Sequence, residues 1–485
     1  MSTRPDGPDN RSILTSPDEV LSTLGQDGKR RWLYPTLSLG RFLRSRKIVG
    51  WALIALFTLL PILKVNGKPA VFMDIVHREF TFFGLTLYST DTVLWMLFAL
   101  SVLISVFFGT ALLGRVWCGW GCPQTVYLEF VYRPIERLIE GGEAARKRRD
   151  EGPMSLDKLW RKVAKFGIYA AISLALAHTF VAYFVSWESL LHWMALPPKE
   201  NWGFFLMMGI TSGLIFFDFA FFREQMCTIA CPYARIQSVL VDEDSMIVSY
   251  DPGRGEPRTR RTRAIREQEA QGIQLNLGDC VDCGACVRTC PTGIDIRNGL
   301  QMECIGCTQC MDACDAIMIG VDKPLGLIRY TSENALAGKP IKPIRTRTVL
   351  YGLIWLALTT AFVVMLTGRT SLDLNIGRVV GEPFIEMGDG IGNRLRFRVQ
   401  NRHADTTAEI VAVSPLGTQV KLIGSSPTTL PEGEHVRVES FVIVPPEAFK
   451  NGNAEGVFEV RTADGRVERA KFNLLGPSVG SGGAL

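Results

Sequence analysis

The chemistry this sequence can do lies in its twelve cysteines, all of which fall between Cys118 and Cys314. Eight of them form two runs, Cys280-x2-Cys283-x2-Cys286-x3-Cys290-Pro291 and Cys304-x2-Cys307-x2-Cys310-x3-Cys314. Gaps of two residues place three successive thiolates around one four-iron cluster, and the fourth Cys of each run reaches across to the other cluster. The expected ligands are Cys280, Cys283, Cys286 and Cys314 for one 4Fe-4S cluster, and Cys290, Cys304, Cys307 and Cys310 for the second. Lone zinc sites would need only half as many thiolates. Gly284, Gly293 and Gly306 let backbone pass close to the sulfurs, and the second run ends in Asp315 where the first has Pro291.

The other four cysteines form two similar pairs, Arg115-Val-Trp-Cys118-Gly-Trp-Gly-Cys122-Pro123 and Arg223-Glu-Gln-Met-Cys227-Thr-Ile-Ala-Cys231-Pro232. Each follows an apolar run, so they read as an internal repeat. A spacing of four predicts both sulfurs of a pair on one helix face, with the Pro letting the helix stop or turn. Brought together, Cys118, Cys122, Cys227 and Cys231 could make one four-thiolate metal site, and they are the candidate catalytic residues. Soft thiolates favour Cu(I), zinc or a further iron–sulfur centre. The alternative, small buried cysteines at helix ends, stays open at this point.

Other chemistry is thinly represented. Of five histidines, only His178 lies well inside an apolar run, which leaves a membrane haem without its second ligand. His178 reads as a helix-packing residue, although intramembrane ionisable groups default to function. His77 and His192 are weak candidates for an outer metal contact, and Asp218 for a pair with Arg223 or a proton relay. Met207 and Met208 read as core. No phosphate loop, dinucleotide glycine motif or nucleophile elbow stands out.

These residues must be positioned by membrane helices. The chain is 47% hydrophobic, with a positive mean hydropathy of +0.15. Five stretches approach the roughly 20 apolar residues of a membrane span: Ile48–Leu63, Val93–Leu113, Phe166–Trp187, Gly203–Phe222 and Val349–Leu366. Arg41, Arg44, Arg46 and Lys47 precede the first, a strongly basic loop from Arg133 to Lys165 follows the second, and Arg254 to Arg266 follow the fourth. The remaining loops hold few cations. By the positive-inside rule the N-terminus and the cysteine-rich insert face the cytoplasm, and the C-terminal part faces the periplasm. Basic residues gathered beside apolar runs argue against a nucleic-acid partner. The first 46 residues lack the form of a cleavable signal, so the first span is expected to be an uncleaved anchor.

From about Asp373 the pattern changes. Arg394–Val399, Glu409–Val413, Val436–Val444 and Val457–Val460 alternate with the period of two of half-buried strands. A small cysteine-free β-sandwich is expected there, acting as a docking module. The expected organisation is a multi-domain membrane protein: a cytoplasmic tail (1–46), a four-helix region with both Cys-x3-Cys-Pro motifs (47–241), a cytoplasmic ferredoxin-like domain (242–344), a fifth transmembrane helix (345–369) and a periplasmic β-sandwich (370–485).

With both Cys-x3-Cys-Pro motifs, the double ferredoxin run and the β tail in place, nearly the whole chain resembles the cytochrome c oxidase accessory protein family, the FixG, CcoG and RdxA group. The double run alone is widely shared; its combination with CGWGCP, CTIACP and the tail is far more specific. The resemblance implies an immunoglobulin-like fold for the β-sandwich (370–485) and a role in assembling the cbb3-type haem–copper oxidase of the bacterial inner membrane. It also implies copper delivery or reduction, with copper ion as substrate. The partners it implies are oxidase subunits, a copper chaperone or an exporter, a cytoplasmic electron donor and a second copy of the chain in a homodimer. Two other readings stand beside it: an electron conduit to a quinone or respiratory partner, and a non-enzymatic assembly scaffold.

Overall fold

The computed structural model describes residues 22–24, 29–76, 78–88, 91–271, 273, 275–342, 344–388, 390–402, 405–423 and 427–477. His77 and most of the N-terminal tail lie outside them. The chain divides into two units: Met1–Ile75, Thr81–Leu85 and Trp95–Thr360 form one, and Val76–Phe80, Thr86–Leu94 and Ala361–Leu485 form the other.

Among the described residues, four helices are long and apolar enough to cross a membrane: Thr92–Leu113, Leu156–Val185, Trp202–Phe222 and Thr346–Thr367. The first expected span differs. Its helix runs Arg41–Leu59 and stops just before Pro61, and its opening turns carry Arg41, Arg44, Arg46 and Lys47, which leaves too short an apolar stretch within the helix. Two of the long helices pack through aromatic rings at the foot of the first unit. Tyr132 stacks on Phe219, with centroids 4.3 Å apart and planes at 10°, and meets Tyr169 edge-on at 4.7 Å. Each hydroxyl of that tyrosine pair is satisfied: Tyr169 donates to the Tyr132 carbonyl at 3.0 Å, and Tyr132 shares a hydrogen bond with Ser173 at 2.9 Å.

The basic loop after the second apolar run is partly interior. Arg133, Arg146 and Lys165 are buried, as are Glu129, Glu136 and Glu140. Arg133 pairs with Glu129, Arg146 with Glu136 at 2.9 Å, Lys165 with Glu140 at 3.0 Å and Arg223 with Glu136 at 3.1 Å. Burying that many cations is tolerable only because each has a carboxylate. These residues, read from sequence as loop charge, therefore hold the helix feet together.

The cysteine-rich body of the same unit is built on an antiparallel pair, Ile247–Tyr250 with Ile328–Thr331, and on the helices Ala285–Arg288 and Gln309–Gly320. Val248, Ile294, Ile296, Met311, Met318 and Leu327 form its apolar centre.

In the second unit, strands Gln419–Ile423, His435–Val444, Gly390–Asn401 and Leu372–Arg378 form one sheet in that order, with Ile385–Met387 added beside Gly390–Asn401. Thr428–Leu430, Thr406–Ser414, Asn453–Thr462 and Val467–Leu475 form the other. Leu395, Phe397 and Val399 from one sheet and Ile410, Phe458 and Val460 from the other share a single core. The intervening Arg394 and Arg396 point away and bind Glu439 at 2.9 and 2.8 Å. The period of two in the sequence is thus realised as alternating burial.

Candidate electron-transfer site

The backbone around the eight-cysteine runs is bent in a repeated way. Asp282 and Gly284 flank Cys283, Gly306 and Thr308 flank Cys307, and all four adopt left-handed φ angles of 47°, 66°, 66° and 61°. Left-handed residues on both sides of the middle cysteine curl the chain around the sulfur. Glycine does this freely; Asp282 and Thr308 do it at a cost. The glycines were legible as close-approach positions, but the two non-glycine partners were not.

The curled loops gather the sulfurs into two groups. One void is lined by Cys280, Cys283, Cys286 and Cys314, and the other by Cys290, Cys304, Cys307 and Cys310, with Cys286 at its edge. Helix Gln309–Gly320 carries both Cys310 and Cys314 one turn apart, so it contributes a sulfur to each. Burial pushes the thiols of Cys286 and Cys304 up to about 11 and those of Cys307 and Cys314 up to about 12. The backbone N–H of Gly306 donates to the Cys304 sulfur and that of Gln309 to Cys307, which works the other way. Neutral thiols in an apolar void with N–H groups aimed at them suit a group that brings its own positive charge and displaces the protons. Among the described residues, no three His, Cys, Asp or Glu side chains converge as ligands of one ion would. A four-iron cluster holds its thiolates at outer corners, wider apart than a lone ion does, so the quartets fit the cluster.

The two Cys-x3-Cys-Pro motifs adopt a shape the sequence reading did not foresee. Cys118 lies in the short helix Val116–Trp120. Cys122 has left it, in extended conformation (φ −65°, ψ 126°), and Pro123 is the first residue of a new helix. Cys227 lies in a wide helical turn, Met226–Ala230, while Cys231 is again extended (φ −70°, ψ 111°) ahead of the helix opened by Pro232. The paired sulfurs therefore do not share one helix face. Proline begins a helix here, where its missing N–H and fixed φ are harmless, and the extended Cys122 lets its sulfur accept the Gln124 and Thr125 N–H groups.

The two pairs are neighbours. Cys118 is buried in one cluster with Ile305 and Cys307, against which Cys227 and Tyr233 pack. Burial pushes the Cys118 thiol up to about 11, with Arg115 acting in the opposite sense, and the Cys227 thiol up to about 12, helped by Cys122, Cys118 and Cys231. The Cys118 Sγ donates to Gln237 Oε1 at 3.0 Å, and Gln237 in turn donates to the Tyr233 hydroxyl at 2.7 Å. Arg115 binds the Cys304 carbonyl at 3.1 Å and the Ala234 carbonyl at 2.8 Å, and so ties the first pair to both the second pair's helix and the second quartet. Nothing in the sequence marked Gln237, which is more than a hundred residues from Cys118.

The remaining candidates are placed as follows. Arg223 gives its guanidinium to Glu136 rather than to Asp218, and Asp218 accepts from Gln124 Nε2 at 3.2 Å. His178 Nδ1 meets the Leu174 carbonyl of its own helix at 2.7 Å. Met208 is buried, whereas Met207 is exposed, contrary to its reading as core. His192 is exposed on Trp187–Ala195.

Fold and site together define a membrane-embedded iron–sulfur electron-transfer protein. Residues 222–333 match a 4Fe-4S dicluster domain, residues 95–140 a 4Fe-4S binding domain, and residues 362–477 the IG-like fold at the C-terminal of FixG. The nitrogen fixation protein FixG of Rhizobium meliloti is 37% identical over 64% of this chain and 59% of its own length. Protein RdxA of Cereibacter sphaeroides is 32% identical over 82% of this chain and 86% of its own length. RdxB of the same organism is 30% identical over 89% and 92%. The chain belongs to the FixG/RdxA family of membrane ferredoxins.

Proposed function

We propose that this chain passes electrons from a soluble donor, through its eight-cysteine body, to copper at the membrane edge, in support of cbb3-type oxidase assembly. On this reading Cys280, Cys283, Cys286 and Cys314 hold one four-iron cluster, and Cys290, Cys304, Cys307 and Cys310 the other. Bound clusters supply one-electron carriers whose potentials follow net charge, hydrogen bonds to sulfur and exposure. The chain's own residues do the rest. Met311, Met318 and Leu327 exclude water, Gly306 and Gln309 donate to sulfur, and exposed Cys283 offers the donor a point of entry. The pairs Cys118/Cys122 and Cys227/Cys231 take the copper substrate through two thiolates at a time, since no three of them converge on one point among the described residues, and each Cu(II) takes one electron to become Cu(I), the state soft thiolates hold.

The observation that carries this reading is the shared burial of Cys118 and Cys307 around Ile305. It sets one thiol pair in direct apolar contact with a cysteine of the second quartet. The rest of the proposal is topological. Five crossings place the tail (1–46) and the ferredoxin-like domain (242–344) in the cytoplasm, the first of them, Ile48–Leu63, being a short one that its helix, ending at Leu59, completes only with the residues beyond it. The β-sandwich (370–485), beyond the four-helix region (47–241) and the fifth helix (345–369), lies in the periplasm of an inner membrane. Oxidase subunits, a copper chaperone or an exporter are the partners, and the chain acts as a homodimer.

The test is anaerobic. Detergent-purified protein is checked for two clusters by iron content and EPR, reduced, and mixed with Cu(II) and a Cu(I)-specific chelator. Stoichiometric Cu(I) that disappears in the Cys118→Ser/Cys122→Ser and Cys227→Ser/Cys231→Ser variants supports the reading. Copper reduction that survives both substitutions removes the thiol site from it.

One observation favours the alternative, electron exchange with a quinone. An apolar cavity of about 140 Å³ is lined by Leu113, Met246, Leu300, Met302, Cys304 and Tyr330, beside the foot of an apolar helix. Quinone-dependent reoxidation of the reduced protein, with indifference to copper, would select it.

A further inference from the structure

Arg46 is the most buried cation in the first unit, at 0% exposure. Its Nε donates to the Gly119 carbonyl at 2.9 Å, and its guanidinium lies 5.5 Å from the centre of the Phe130 ring. Nη1 and Nη2 are buried without a hydrogen-bond partner, and among the described residues no carboxylate pairs with it. A buried, unpaired guanidinium is strongly unfavourable unless an anion faces it.

The surroundings identify that anion. The Gly119 carbonyl fixes Arg46 beside the turn between Cys118 and Cys122, and that turn lies on the second quartet: a methyl group at Gly119 would stand 2.7 Å from the Gly306 carbonyl oxygen. In the same turn Trp120 donates to the Tyr330 hydroxyl at 3.0 Å, and Cys118 is buried against Cys307. The first quartet is different. Arg297, which lines the first void, is already paired with Asp282 and Asp295 at 2.6 Å each.

We propose that Arg46 is a positioning residue for electron flow: its unpaired charge faces the cluster of the Cys290/Cys304/Cys307/Cys310 quartet and raises that cluster's reduction potential above its neighbour's. The proposal rests on the assignment of clusters to the two quartets. Reduction adds one electron to a cluster that is already anionic, with no bond made or broken, so a fixed cation in apolar surroundings favours the reduced form. Arg297 is neutralised by its carboxylates and exerts no comparable pull. The resulting step in potential points from the exposed Cys283 toward Cys118.

The experiment is a potentiometric titration followed by EPR on the full-length protein, wild type beside Arg46→Gln, Arg46→Lys and Arg44→Gln. Iron content of the wild type comes first; fewer than two clusters overturns the cluster assignment and this proposal with it. With two clusters present, Arg46→Gln is expected to shift the reduced-to-oxidised ratio of one cluster at least tenfold toward oxidised. That is a midpoint lower by about 59 mV for a one-electron couple. The other cluster, and both clusters in Arg46→Lys and in the exposed-site control Arg44→Gln, stay in place. Two unmoved clusters, or two that move alike, overturn the proposal. Should Arg46→Gln fail to load iron, protein labelled with ¹⁵N-arginine decides by pulsed EPR. A guanidinium nitrogen coupling at one reduced cluster that vanishes in Arg46→Lys upholds it, and the lack of such a coupling overturns it.

Discussion

Glu136 and Arg223 face each other in a two-bond ion pair, Oε1 to Nη1 and Oε2 to Nη2 at 3.1 Å each, with both side chains 5% exposed. Arg223 stands four residues before Cys227, so this pair anchors the second thiol motif to the helix Arg133–Glu140. Replacing Glu136 by Gln leaves Arg223 and Arg146 facing a neutral group. The expected loss is about 3–5 kcal/mol, read as a lower unfolding temperature in detergent together with faster alkylation of Cys227.

The same pair gives a pH signature. Burial pushes the Glu136 carboxyl up, but Arg223, Lys165 and Arg146 outweigh it and hold the group well below the usual carboxylate range. A depressed carboxyl contributes stability that is fully present above its unfolded value of about 4.5 and is lost as pH falls through the folded value. Unfolding midpoints should therefore decline on acidification below that point, and Glu136→Gln should flatten the decline.

Gly119 marks where the first thiol motif touches the second quartet. A methyl group there would meet the Gly306 and Ile305 carbonyls at 2.7 and 2.8 Å, distances backbone cannot absorb without moving. Gly119→Ala should keep its iron yet slow electron arrival at the Cys118 site at least tenfold, measured by stopped-flow reoxidation with Cu(II).

Metal uptake at the membrane-edge thiols should release protons. Burial holds Cys118 near 11 and Cys227 near 12, so both enter as neutral thiols at pH 7 and leave their protons on binding. Affinity for Cu(I) should rise about tenfold per pH unit for each proton displaced between pH 6 and 8. Competition with a chelator of known affinity measures the slope, and a flat profile would show that these thiols do not bind as thiolates.

In the second unit Phe397 and Phe458 meet edge-on at 5.2 Å, and both are 0% exposed. Phe458→Ala should cost about 3–5 kcal/mol by cavity formation, seen as an earlier loss of β-sheet signal in urea with cluster absorbance unchanged.

What could be read from sequence was whatever repeats locally. Short gaps between cysteines let the two groups that the structure gathers around two voids be written down from spacing, and alternation gave the strands around Leu395, Phe397 and Val399. What escaped was set by distant chain. Arg46 looked like loop charge because nothing near it in sequence announces the Gly119 carbonyl or the Cys307 loop. Arg133 and Arg146 looked solvated although Glu129 and Glu136 stand only four and ten residues away, because what closes over Arg133, Glu224 and the Pro291 carbonyl, lies far along the chain. The two sulfurs of each Cys-x3-Cys-Pro pair were expected on one helix face because a spacing of four fits one, whereas Cys122 and Cys231 lie extended ahead of the helices that Pro123 and Pro232 open.

The helix Gln309–Gly320 places Cys310 against one void and Cys314 against the other. On the proposed assignment, the two metal centres share a single rigid strut, and neither can be emptied without loosening a wall of the other. Filling one centre then sets a wall of the other, so the two should load and empty together rather than singly.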